Sequence, residues 1–151
     1  MWNFKPEERL REWKSFRNNL SQLELEPALE AVCKLWSYAP YVNHYLSPDL
    51  PEEWPDPWTL VHENYYCDLA KSLGMFYTLY LCHHYGRDIQ QLELEVYRNS
   101  QNAEWHYIVS INKGKYILNL VFNTIVNKSS ITRDLVLKHQ YNVEDLKLDL
   151  Y

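Results

Sequence analysis

The apolar period of this chain changes once, and that change limits the folds open to it. Through the first half, apolar residues recur every three or four positions. Leu10, Trp13, Phe16 and Leu20 do so behind Pro6, a residue suited to a first helical turn, and predict a helix. Leu29, Val32, Cys33 and Trp36 predict a second helix within 21–39, ended by Pro40. Asp56 ahead of Pro57 reads as the cap of a short third helix that ends near Glu63-Asn64. Leu69, Leu73, Phe76, Leu79 and Tyr80 predict a long fourth helix over 66–84, with Gly86 as its left-handed cap. Beyond it the period drops to two. Leu92, Leu94 and Val96 alternate with Glu93, Glu95 and Tyr97, and two more strands follow over 105–111 and 115–122. Helices first and antiparallel strands second imply an α+β fold rather than a parallel α/β one.

At 151 residues the chain fits one domain. It divides into a helical N-terminal part (1–57), a core (58–122) and a tail (123–151) expected to be helical, with Ser130 as a cap. Aromatic residues make up 15% of the chain, too many for a disordered one. The net charge is −5, with no basic stripe, which argues against a nucleic-acid surface. The longest apolar run, from Leu73 to Cys82, is too short to span a bilayer. The first residues lack the apolar stretch of a signal peptide, so a cytoplasmic location is expected, with no membrane partner.

Three cysteines at irregular spacing do not form a disulfide framework. Cys33 and Cys82 fall on helical apolar faces and read as buried thiols. Cys67 sits where the fourth helix starts. Free N–H groups there favour a thiolate and stabilise the oxyanion formed when it attacks a carbonyl. Such a nucleophile needs a base and an orienting group. His83 and His84, beside Cys82, point about 100° apart on a helix and do not share an ion, so neither a metal nor a cofactor is expected.

The order Cys67, His106, Asn119 supplies the missing groups. Around it stand Tyr66-Cys67-Asp68-Leu69-Ala70, the turn at Gly86, Trp105-His106-Tyr107-Ile108-Val109 and Ile117-Leu118-Asn119. Over about 58–122 this resembles the transglutaminase-like branch of the papain-type cysteine enzymes. That family sets its Cys at a helix start, its His on a following strand and its Asp or Asn on the next. The chain departs from the pattern in Tyr65-Tyr66 ahead of the Cys, and in Asn119-Leu120 where Asp and Pro are usual.

The resemblance implies cysteine-dependent acyl transfer on amide bonds, of the protease, deamidase or transglutaminase type. Cys67 would attack, His106 would carry the proton and Asn119 would orient the imidazole. Trp58, Tyr66 or Trp105 would shield the thiol. Hairpin register decides whether this works. If Lys113-Gly114 form a two-residue loop, His106 faces Val121 and shares a face with Asn119. If the loop has three residues with a bulge at Gly114, Asn119 moves to the face of Tyr107 and the triad fails.

An alternative keeps the fold without the chemistry. The chain would then be a scaffold or assembly protein of the kind found among phage structural components, virion-associated if phage-encoded. Its partner would be a protein bound through the aromatic N-terminal part rather than a peptide substrate. It predicts Tyr65-Tyr66 over the thiol and Asn119 turned from His106.

Overall fold

The structure, a computed structural model, describes residues 1–148. Four helices, α1 (Pro6–Leu20), α2 (Leu25–Ser37), α3 (Pro57–Glu63) and α4 (Asp68–Tyr80), precede five strands, β1 (Leu92–Asn99), β2 (Trp105–Ile111), β3 (Tyr116–Val121), β4 (Thr124–Val126) and β5 (Leu135–Tyr141). The sheet is antiparallel throughout, in the order β4-β3-β2-β1-β5. The α+β reading therefore holds. Among the described residues no helix is long and apolar enough to cross a membrane.

α4 is the centre of the molecule. Leu69, Leu73, Phe76 and Leu79 are buried, and so are Ser72, Gly74 and Thr78 on its other sides. A helix buried all round needs company on each side. The sheet lies on one side and α2 with α3 on others. Gly74 lets α2 come close, because a Cβ there would lie 2.4 Å from the Trp36 ring. The indoles of Trp13 and Trp36 both donate to Thr78 Oγ1, at 3.0 and 2.9 Å, and Thr78 donates back to the Gly74 carbonyl. Those bonds satisfy two buried indoles that burial alone would penalise.

A buried cation was not foreseen. Arg9 is only 4% exposed. It donates from Nε to the Val61 carbonyl and from Nη2 to that of His62, and from Nη1 to that of Phe4. It therefore serves the open carbonyls at the C-terminus of α3 and ties α1 to it.

Three boundaries differ from expectation. α4 starts at Asp68, with Cys67 as its N-cap, and stops at Tyr80 rather than near Gly86. The chain from Cys82 turns instead, because the buried His84 ring is held by Asp88 Oδ2 at 2.6 Å and the Leu20 carbonyl at 3.0 Å. Gly86, at φ +85°, sits in that turn. The tail is not helical over its described part: it supplies β4 and β5, and Ser130 ends a short 3-10 turn. β5 is an edge strand paired with β1, so few of its residues are covered and its alternation is faint. Residues 149–151 of that expected tail lie outside the described residues.

Candidate active site and its clefts

Cys67 caps α4 with an extended backbone and is 5% exposed. Its side chain accepts no cap hydrogen bond. It lines a cleft of about 200 Å³ together with Tyr41, His44, Asp68, Trp105 and Tyr107. The nearby phenols carry high pKa values. Tyr107 is raised by burial first, then by Cys67 and Asp68. Tyr45 is raised by burial, by its hydrogen bond to the Glu63 carboxylate and, less, by Cys67. Both hydroxyls therefore stay protonated at neutral pH.

The hairpin adopts the two-residue register. Val109 pairs with Leu118, Ser110 with Ile117 and Ile111 with Tyr116. Lys113 and Gly114 both have positive φ, as a primed turn requires. The ladder then stops at Leu118, because Asn119 adopts φ +70°. That left-handed residue breaks the alternation. Leu118 packs into the main core and Leu120 against the small cluster on the other face, so Asn119 turns to the α4 side as well. Its Nδ2 donates to Ser72 Oγ at 2.7 Å, the Tyr107 carbonyl at 2.9 Å and the Asp68 carbonyl at 3.4 Å. Asn tolerates this conformation better than most residues.

His106 goes the other way. It stands directly opposite Tyr97, which packs with Ile108 and Ile117 on the face turned from α4. Tyr107, Val109 and Ile111 take the α4 side. His106 and Asn119 line one cleft of about 460 Å³, with Asp68, Glu104, Trp105 and Phe122, but no hydrogen bond joins them. His106 is absent from the cleft of Cys67. Among the described residues no hydrogen bond joins Cys67, His106 and Asn119 to one another; Asp68, Trp105 and Tyr107 line both clefts, and the Asn119 amide is bonded to α4 and β2.

The shielding residues divide. Trp105 lines both clefts. Tyr66 is fully buried, in edge contact with Trp2 and Trp36, and so supports the core beneath the site. Trp58 is 40% exposed on α3 and lines neither cleft. Tyr65 is exposed and rests on Tyr45 rather than on the thiol. Two residues of the site were missed, Tyr107 and His44. The spacing of Tyr107 with Val109 and Ile111 carried the signal for the first; nothing in the sequence marked the second.

The chain matches no family model and no curated protein. Solved structures do match. Legionella pneumophila LapG superposes with a TM-score of 0.71 at 17% identity, covering 91% of this chain and 76% of that one. Its calcium-bound form gives 0.72 at 16% identity, over 94% and 78%. The EGTA-treated form gives 0.71 at 17%, over 91% and 74%. The fold is transglutaminase-like. At this identity the likeness concerns the fold, and the chemistry has to be argued from the side chains above.

Proposed function

We propose that this chain is a non-catalytic transglutaminase-like binding module, a scaffold or assembly protein whose partner is another protein. One observation supports the reading: no hydrogen bond joins Cys67, His106 and Asn119 among the described residues, and Tyr107 rather than His106 lines the cleft of Cys67. A thiol attacks a carbonyl only after a base takes its proton. Tyr107 and Tyr45, with raised pKa values, are poor bases at neutral pH. Asn119, the third member of the expected triad, uses its amide to join Ser72 on α4 to the Tyr107 carbonyl on β2. Among the described residues no three His, Cys, Asp or Glu side chains gather to hold a metal, and the reading uses none.

Of the N-terminal aromatics, those on α1 and before it are mostly covered, Phe4 excepted. Trp13 is fully buried, and Trp2 and Phe16 pack against the core. Phe4, Trp58 and Tyr65 are exposed away from the clefts, while Tyr41, Trp105 and Phe122 are exposed at them.

A second reading keeps cysteine-dependent acyl transfer. It is favoured by Cys67 at the N-terminus of α4, in an open cleft whose wall includes His44. The imidazole would then be His44, or His106 after the start of β2 turned over. The test is incubation with carboxamide-bearing peptides and methylamine, followed by mass spectrometry, with Cys67→Ala as control. Unchanged peptides are expected. Cleavage, deamidation or amine incorporation that disappears in Cys67→Ala would overturn the binding-module reading.

A further inference from the structure

β5 closes one edge of the sheet, and among the described residues no strand pairs with its outer side. Beyond its ladder with β1, only the Leu135 N–H is bonded, to the Thr132 carbonyl at 3.0 Å. An edge strand of seven residues with free backbone groups is a template for another strand. The opposite edge, β4, has only three residues. β5 also exposes apolar side chains, Val136 at 42% and Leu137 at 44%. Two charges bracket them. Asp134 precedes the strand, its carbonyl accepting from the Ser100 N–H at 2.7 Å. Lys138 is the extra residue where the register shifts opposite Val96 and Tyr97. Among the described residues neither Asp134 nor Lys138 forms an ion pair.

The order Asp134-Leu135-Val136-Leu137-Lys138 is complementary to itself when run antiparallel. A two-fold axis normal to the sheet keeps each face, so it passes through a residue rather than between two. On Lys138 it would set the two lysines against each other. On Leu135 or Leu137 neither charge would meet its opposite. On Val136 it sets Leu135 against the partner's Leu137, Val136 against its own copy, and Asp134 against the partner's Lys138, the last pair occurring twice. We propose that β5 is the dimerisation edge of this chain: a second copy adds antiparallel about Val136, and the two five-stranded sheets become continuous. A lysine and a bulge at an edge turn most strands away; Lys138 admits one that carries an acid at the matching position. The apolar cluster of the far face, against which Leu135 packs, then continues across the axis to the partner's Leu137. This edge lines neither the cleft of Cys67 nor that of His106, so the proposal goes beyond the binding-module reading and does not depend on it.

The test is sedimentation velocity of the full chain from about 10 to 500 µM, over which wild type should pass from monomer to dimer. Asp134→Lys and Lys138→Asp should each weaken the dimer about tenfold, because each places two like-charged pairs across the axis. The double variant, Asp134→Lys with Lys138→Asp, restores both pairs with their signs exchanged and should return to within about threefold of wild type. Amide exchange of the wild type gives a second reading that no substitution can disturb: protection over 135–138 should rise with concentration. A monomer throughout would overturn the proposal, and is what an edge kept for a strand of a different protein would give. A dimer indifferent to the single substitutions, a double variant as weak as the singles, or protection that stays constant or rises elsewhere would overturn it equally.

Discussion

The two faces of the sheet differ in what covers them. Toward α4, Leu94, Val96, Val109, Ile111 and Leu118 are fully buried and continuous with the helical core. Away from it, Tyr97, Ile108 and Ile117 form a small separate cluster, edged by Leu120, Val126, Ile131 and Leu135. In a strand, one residue of displacement changes the face. Cys67 belongs to the first face and His106 to the second. On the binding-module reading, that step leaves the order of a cysteine triad without its geometry.

The comparison can be broken most severely at Gly74. A methyl group there would meet the Trp36 ring, whose indole is fixed to Thr78. Gly74→Ala should cost about 3 kcal/mol in urea unfolding, because overpacking against a fixed ring has little room to relax. A more even comparison uses neighbours on β3. Leu118→Ala, on the α4 side, should cost about 3–4 kcal/mol and Ile117→Ala, on the far side, about 2 kcal/mol. The smaller patch closes or rehydrates more easily than the enclosed core. Equal losses would mean that the two faces are packed alike.

Asn119 joins the two regions and should give an intermediate effect. Asn119→Ala removes the amide bonds to Ser72 and Tyr107 and leaves an alanine at φ +70°. A loss of about 2 kcal/mol is expected, with Asn119→Gly recovering about 1 kcal/mol of it by relieving the backbone. If glycine recovered nothing, the left-handed backbone would not be what turns this residue toward α4.

Much of this was legible in the chain. Pro6, the Asp56-Pro57 pair and the alternation from Leu92 onward mark elements that exist, because each rests on local sterics or on one covered face. The Lys113-Gly114 turn left two registers open, and the two-residue one occurs. What was not legible came from tertiary contact. The φ of Asn119 depends on Ser72, which is distant in sequence, and no local pattern encodes it. β5 carries Leu135, Val136 and Leu137 in succession at a sheet edge, so its period was hidden. Arg9 lies among charged residues on α1, where only the carbonyls of α3 reveal why it is buried. The face of His106, by contrast, was readable from Tyr107, Val109 and Ile111.

The smallest effect concerns the end of the helical layer. Asp88 has a lowered pKa, chiefly from its hydrogen bond with His84 and then from Arg87. A lowered carboxylate pKa adds stability above the ordinary Asp value of about 4, lost as pH falls through the depressed value. Asp88 is partly exposed, so the effect is modest. Asp88→Asn should flatten the acid limb of a stability-versus-pH curve and leave its neutral and alkaline parts parallel to wild type.

The central claim is that Cys67 and His106 do not act on each other. The most direct measurement is the rate of Cys67 alkylation by iodoacetamide across pH, read by peptide mass spectrometry so that Cys33 and Cys82 are counted separately, in wild type and in His106→Ala. The account predicts superimposable profiles, with a single rise and no step near the usual imidazole range. A His106→Ala profile that loses a low-pH reactive fraction, or moves its rise to higher pH, would contradict it.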